Sequence, residues 1–334
     1  MRTLRDDREA EQRRVTGRAS CRPTTLRSWR RGRLVISVSI AVDHVDILGE
    51  APVWHAGEQR LYWVDAFAPA IRRFDCETGA LDSFAMPTDI GSFVFAADGS
   101  VIAGMRGGFY RVLLDRRTVA PIANPLPPDP RLMLNDGKCD RRGRYWCASV
   151  HSDFIGRRAE LYRLDPDLAA SRMDGGFIIG NGIAFSPDDS RMYLADSRDE
   201  TVWVYDLDIE SGRISNRRVF FSTADIEGRV DGATCDRDGN YWCALVHGGA
   251  VACIDPSGRM VDRIAVPAKH PTMVAFGGVE LNQLYVTSAS RLLEPEERAC
   301  WPHAGKLFRI DGLGACGLAE PLFGGNLSTF ETAP

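Results

Sequence analysis

Six copies of one pattern recur along the chain, and this repetition limits the fold more than any other feature. Each copy is a short apolar strand, a polar turn rich in Asp or Gly, and a second strand that starts near an aromatic residue. The copies read APVWHAGEQRLYWVD, SFVFAADGSVIAG, GKCDRRGRYWCAS, GIAFSPDDSRMYLAD, GATCDRDGNYWCAL and MVAFGGVELNQLYVTS. Tyr62, Val101, Tyr145, Tyr193, Tyr241 and Tyr285 mark equivalent places in the second strands, at separations of 39, 44, 48, 48 and 44 residues. Each copy runs on into a further strand pair, such as TVWVYDLDIESGRISNRRVF or AVACIDPSGRMVDRIAVP. Four short strands in about 45 residues, with turns between, are the pattern of one propeller blade. No segment sustains a 3.6-residue apolar period between caps, so a helical repeat is not supported. The expected fold is all-β: a six-bladed β-propeller of four-stranded antiparallel blades around a central channel, one domain over residues 34–334. A strand at residues 34–43 is expected to complete the last blade, because open sheet edges invite wrong pairing.

Composition agrees with a globular body: 44% hydrophobic and 26% charged residues exclude a wholly disordered, collagenous or multi-span membrane chain. The net charge of −4 hides a division. Residues 1–33 carry eleven Arg against four acids, which leaves 30 basic and 41 acidic residues in the body. An acidic body excludes a general nucleic-acid binder. Residues 1–33 have no apolar periodicity and read as a basic, disordered N-terminal extension. Arg30-Arg31 before LVISVSIAV suggests a twin-arginine export signal, but the apolar run is nine residues long and alternates with Ser37 and Ser39, as a strand does. No stretch approaches the roughly twenty apolar residues of a membrane span. Nine cysteines without CxxC spacing, several in strand-like runs (Cys139, Cys147, Cys235, Cys243), read as reduced core thiols of a cytoplasmic protein.

The innermost strand of each blade faces the channel, so equivalent positions in different blades meet on the axis. Ten to thirteen residues before each second-strand marker stand Glu50, Gly91, Asn135, Asn181, Asp231 and Thr272. Four of the six are carboxylates or carboxamides. Asn-Gly and Asp-Gly are common turn formers, but four in register favour a site. Clustered oxygens in a dry channel are costly unless a cation sits between them. Oxygen donors without Cys or His form a hard set, suited to Ca²⁺ first, with Mg²⁺, Mn²⁺, Zn²⁺ or Fe²⁺ as alternatives.

With LGEAPVW, LNDGKCDRRGRYW, GNGIAFSPDDSRMYLADS, VDGATCD and HPTMVAFGG before LYVTS, residues 44–324 resemble the SMP-30/gluconolactonase/LRE family of regucalcin-like sugar lactonases. The resemblance implies a six-bladed propeller with a single divalent metal. It implies Glu50, Asn181 and Asp231 as metal ligands, with Asn135 and Asp136 contacting substrate or water at the metal. Asp153 stands where relatives often carry a Glu that meets the sugar. Relatives commonly place Arg two residues before the Asn of NDG. That position is Met133 here, so the resemblance implies a lost sugar-hydroxyl contact and a changed aldonolactone specificity; a specificity left unchanged by Met133→Arg would mean that another loop residue, Arg131 or Arg106, fills the role.

A lone metal with open positions polarises a carbonyl and acidifies water, as lactone opening requires. Asp231 is expected to be both ligand and proton acceptor. There is no GxSxG elbow, and neither GNGIAF nor GMRGGF has phosphate-loop spacing. His151 and His247 occupy matching places after YWCA in copies three and five and read as structural, with proton transfer as the alternative. The expected function is a metal-dependent hydrolase opening the lactone of a sugar acid or similar small hydroxy acid. The alternatives are arylester or phosphotriester hydrolysis at the same metal, or a non-catalytic calcium-binding propeller. The expected partner is a small-molecule lactone, with no nucleic acid and no membrane, and the oligomeric state stays open.

Overall fold

The computed structural model describes residues 28–31, 34–325 and 327. Six antiparallel sheets form the expected propeller. Blade 1 runs through Gly49–His55, Arg60–Asp65, Ala70–Asp75 and Leu81–Ala85, and blade 2 through Ile90–Phe95, Val101–Met105, Gly108–Leu113 and Thr118–Ala123. Blade 3 comprises Leu132–Cys139, Tyr145–His151, Ala159–Leu164 and Ala170–Phe177. Blade 4 comprises Gly180–Phe185, Arg191–Asp196, Thr201–Asp208 and Arg213–Ser222. Blade 5 comprises Arg229–Cys235, Tyr241–Val246, Ala250–Ile254 and Met260–Ala265. First strands of successive blades pack on one another, and that of blade 6 packs on that of blade 1, so the ring is closed.

Closure joins the two ends of the chain. Blade 6 takes Pro271–Gly277, Gln283–Ser288 and Leu307–Asp311 from the C-terminal part, then Leu34–Val42 from the N-terminal part, paired antiparallel to Leu307–Asp311. The alternation seen in LVISVSIAV has its expected meaning: Ile36, Val38 and Val42 are buried. Ser28–Arg31 form a fifth strand on the outer edge of blade 6, with Trp29 opposite Ile36 and Arg31 opposite Leu34. Residues 1–27 of the predicted extension lie outside the described residues.

Inner strands are buried on both faces and so read as apolar runs; Ile90–Phe95, Gly180–Phe185 and Tyr241–Val246 are wholly buried. Outer strands such as Arg213–Ser222 are largely exposed. The near-identical turns of blades 3 and 5 share one clamp. Asp140 accepts the N–H groups of Arg142 and Arg144 and the indole of Trp146 at 2.8 Å. Asp236 accepts those of Asp238 and Asn240 and the indole of Trp242 at 2.8 Å. The cysteines beside them, Cys139, Cys147, Cys235 and Cys243, are buried and unbridged. At one end of the channel Gly317–Phe323 cross the bore: Gly317 N–H bonds the Leu281 carbonyl, Phe323 N–H bonds the Phe95 carbonyl, and Glu320 pairs with Lys138 at 2.7 Å. Among the described residues no helix is long and apolar enough to cross a membrane.

Candidate functional site

In all six blades the pairing of first and second strands slips at the same level: after Glu50, Ile90, Leu134, Asn181, Val230 and Pro271. Each slip places one extra residue in the inner strand, a β-bulge that turns side chains away from the regular pleat. The six positions read from the spacing fall on these bulges. The backbone strain fits: Ala51 has φ 46° and Gly182 φ 57°. Gly91 has no room for a side chain, since a Cβ there would lie 2.5 Å from the Asn135 Cα.

The bulges bring Asn135, Asn181 and Asp231 into one hydrogen-bonded arc. Asn135 Nδ2 donates to the Gly180 carbonyl at 3.0 Å and to Asn181 Oδ1 at 2.7 Å. Asn181 Nδ2 donates to Asp231 Oδ1 at 2.7 Å and to Ser197 Oγ at 2.8 Å, and Ser197 Oγ–H donates to the Val230 carbonyl. Thr272 takes the sixth place without facing the arc, its hydroxyl donating to the Gly49 carbonyl and meeting Thr287. Burial, then the charges of Asp231 and Asp136, push the Glu50 carboxyl well above its ordinary range. Burial and Asp136 do the same to Asp231. Asp136, on the adjacent residue of the same bulge as Asn135, faces the other way and accepts the Ile183 N–H at 2.8 Å through Oδ2. Burial raises it to about 6, although the Ile183 N–H and Lys138 favour its ionised form.

Three mutually repelling carboxyls in a dry channel are what a cation would relieve. Asp136 Oδ1 is also buried without a hydrogen-bond partner. Among the described residues no three His, Cys, Asp or Glu side chains converge as a ligand cluster. Glu50, Asp231 and the Asn181 carboxamide are an oxygen set that fits a hard divalent ion. Below this level a cavity of about 280 Å³, lined by Ala51, Phe93, Met273, Lys138 and Glu320, extends toward the crossing C-terminal segment. Its lining includes none of the arc side chains.

The other predicted residues lie toward the opposite mouth. Met133 pairs with Val150 on blade 3, two residues before Asn135, and is buried. Arg106, from the end of the second strand of blade 2, brings Nη2 to 3.8 Å from the Met133 sulfur. Arg131 is the more exposed of the two candidates and is held by Asp129 at 3.0 Å. Asp153 is engaged by His151, by the Ile155 N–H and by Arg158, none of them an arc residue. Burial opposes its ionisation, but these three partners outweigh it and hold the carboxyl down at about 2. His151, 1% exposed, is pinned between Asp153 at 2.6 Å and Asp129 at 3.3 Å, a structural role. His247 packs edge-on against His270 at 4.6 Å. Burial, His247 and Lys269 push His270 down to about 3. Sequence reading missed Ser197 and Asp89. The signal for Ser197 was its place directly after LAD, at the end of a second strand.

The profile of the family described as SMP-30/Gluconolactonase/LRE-like region matches residues 48–290. The 6-deoxy-6-sulfogluconolactonase of Pseudomonas putida is 35% identical over 294 residues, covering 86% of this chain and 99% of that protein. Pentonolactonase XacC of Haloferax volcanii is 38% identical over 282 residues, covering 83% and 94%. The crystal structure of a calcium-binding protein, regucalcin, from Agrobacterium tumefaciens superposes with a TM-score of 0.82 at 24% identity, covering 85% of this chain and 96% of that one, which shows the shared fold. With residues 48–290 matched, and two relatives above 30% identity along most of its length, the chain belongs to the SMP-30/gluconolactonase/LRE-like family.

Proposed function

We propose that this protein hydrolyses the ring ester of a sugar lactone, with a divalent metal, Ca²⁺ first, held by Glu50, Asn181 and Asp231. The observation that carries the reading is the arc itself: burial and neighbouring carboxyls raise the cost of ionising both Glu50 and Asp231, beside two carboxamides. The two relatives named as lactonases of sugar acids support the substrate class. A bound divalent ion would polarise the lactone carbonyl and acidify water. Asn181 Nδ2 fixes Asp231 Oδ1, which leaves Oδ2 to take the proton as water adds to the carbonyl carbon. The same oxygen returns that proton to the ring oxygen as its bond to the carbonyl carbon breaks, giving the open hydroxy acid. Asn135, whose amide N–H groups are spent on Gly180 and Asn181, keeps Oδ1 to accept a substrate hydroxyl.

The test is to strip the protein of metal, reconstitute it with each divalent ion, and assay a sugar lactone, a plain aliphatic lactone and an arylester. Hydrolysis of lactones only when metal is restored supports the reading. Faster hydrolysis of the arylester than of either lactone would replace it with an esterase. Tight metal binding without turnover would leave a calcium-binding propeller.

A further inference from the structure

Blade 2 places no side chain in the arc, because Gly91 stands at its bulge. Its contribution lies one step out, at Asp89, which holds the register position of Met133 and His270 in blades 3 and 6. At this outer level, blades 3 and 6 meet the residue that follows the second strand of the blade before: His270 meets His247, and Met133 meets Arg106. Arg106 is fixed in several ways. Its N–H bonds the Asp89 carbonyl at 2.9 Å. Its guanidinium donates to Asp89 Oδ2 from Nη2 at 2.7 Å and from Nε at 3.3 Å, and to the Pro130 carbonyl from Nη1 at 2.6 Å. The Met133 thioether packs against it and keeps water from one side.

Arg106 and Asp89 are nonetheless open to the mouth, with side chains 30% and 26% exposed. Among the described residues, one N–H of Arg106 Nη1 and Asp89 Oδ1 have no hydrogen-bond partner. An arginine donor and a carboxylate acceptor therefore stand side by side, Asp89 just before the first strand of blade 2 and Arg106 just after its second. That pattern matches two neighbouring hydroxyls, one accepting and one donating. The pair is neutral overall, and the arc behind it is rich in carboxylates, so a neutral polyol suits it better than an anionic group.

We propose that Arg106 and Asp89 form the subsite that selects a polyhydroxylated lactone ring, Arg106 donating to one hydroxyl and Asp89 Oδ1 accepting from its neighbour. This rests on the lactonase reading above and names its specificity residues. A site whose donor and acceptor match two hydroxyls favours the ring that carries them over the analogue that lacks them.

The test compares kcat/KM for glucono-1,5-lactone and for δ-valerolactone in the wild type, Arg106→Met and Asp89→Asn. The ratio of the two should fall about 10- to 100-fold in Arg106→Met and by less in Asp89→Asn, which keeps one acceptor. Equal losses on both substrates would reduce the pair to a structural tie and overturn the proposal, as would an unchanged ratio. Calorimetric titration with 1,5-anhydroglucitol, which has the ring hydroxyls and no carbonyl, gives a readout free of turnover. Where the wild type opens both lactones, the ratio decides. If it opens neither, the lactonase reading falls and the titration alone decides the subsite: binding at least tenfold weaker in Arg106→Met supports it, and absent or equal binding overturns it.

Discussion

At the scale of single residues, Asp231 and Glu50 carry the same charge in the same channel but differ in surroundings. Asp231 is gripped by Asn181 and presents one oxygen, whereas Glu50 is raised chiefly by burial and by its acidic neighbours. Asp231→Asn is therefore expected to abolish turnover even at saturating metal, since the proton acceptor is gone. Glu50→Gln should weaken metal binding yet recover a sizeable part of kcat in excess metal. A metal titration following occupancy separately from rate distinguishes them, and full recovery of Asp231→Asn would reduce that residue to a ligand. Asp136 predicts a pH dependence. Its carboxyl sits at about 6 in the fold, above its ordinary value near 4. Between these values the folded state holds more protons than the unfolded one, so the metal-free protein should lose stability as pH rises from about 4 to about 6. The loss from this one group is up to about 3 kcal/mol, absent below pH 4 and complete above pH 6. Asp136→Asn should flatten that part of the curve, measured as melting temperature against pH; an unchanged slope would remove Asp136 as its source.

At the scale of the strand, the bulge is the element that makes the site. Without the extra residue, the period of two would keep side chains in the ordinary pleat, between blade face and blade face. Gly91 tests how closely adjacent bulges are fitted. Its missing Cβ would meet backbone, the Asn135 Cα and the Leu134 carbonyl, both at 2.5 Å, and backbone cannot rotate away. Gly91→Ala should lower the melting temperature by several degrees, about 1–3 kcal/mol, and loosen the Asn135–Asn181 contact. A variant as stable and as active as the wild type would show that the strands can part there. The bulges also explain why the axis residues were legible in the sequence while much of the mouth was not. Glu50, Asn135, Asn181 and Asp231 stand at a near-constant distance from an aromatic marker, because the repeat conserves the geometry between them. Arg106, Asp89 and Asp153 lie in turns, where neighbours are chosen by packing across blades. Arg106 lies 27 residues from the methionine it covers. No spacing rule within one repeat predicts such a contact.

At the scale of the whole molecule, the blade count, the four-stranded blades and the closing role of Leu34–Val42 all followed from periodicity, because a repeat unit buries its faces only against its neighbours. The fifth strand at Ser28–Arg31 did not, since backbone pairing at an edge leaves little trace in side-chain pattern. The shared blade makes its own prediction. Deleting residues through 42 removes Ile36, Val38 and Val42 from the core and strips Leu307–Asp311 of its partner. That protein should fail to melt cooperatively, whereas deletion through 33 should cost only the edge strand; two equally cooperative melts would mean that the ring closes without its N-terminal strand. The order of synthesis adds a consequence. Leu34–Val42 leave the ribosome early, and the strand they must join, Leu307–Asp311, emerges some 270 residues later. Throughout that interval the edge of Leu34–Val42 that Leu307–Asp311 will cover stays open, with a growing stack of blades behind it. The ring therefore cannot lock during translation. Its closing contact has one of the longest sequence separations in the chain, so closure is expected to be a late and slow step of folding, and two nascent copies on one messenger could exchange their leading strands before either is finished.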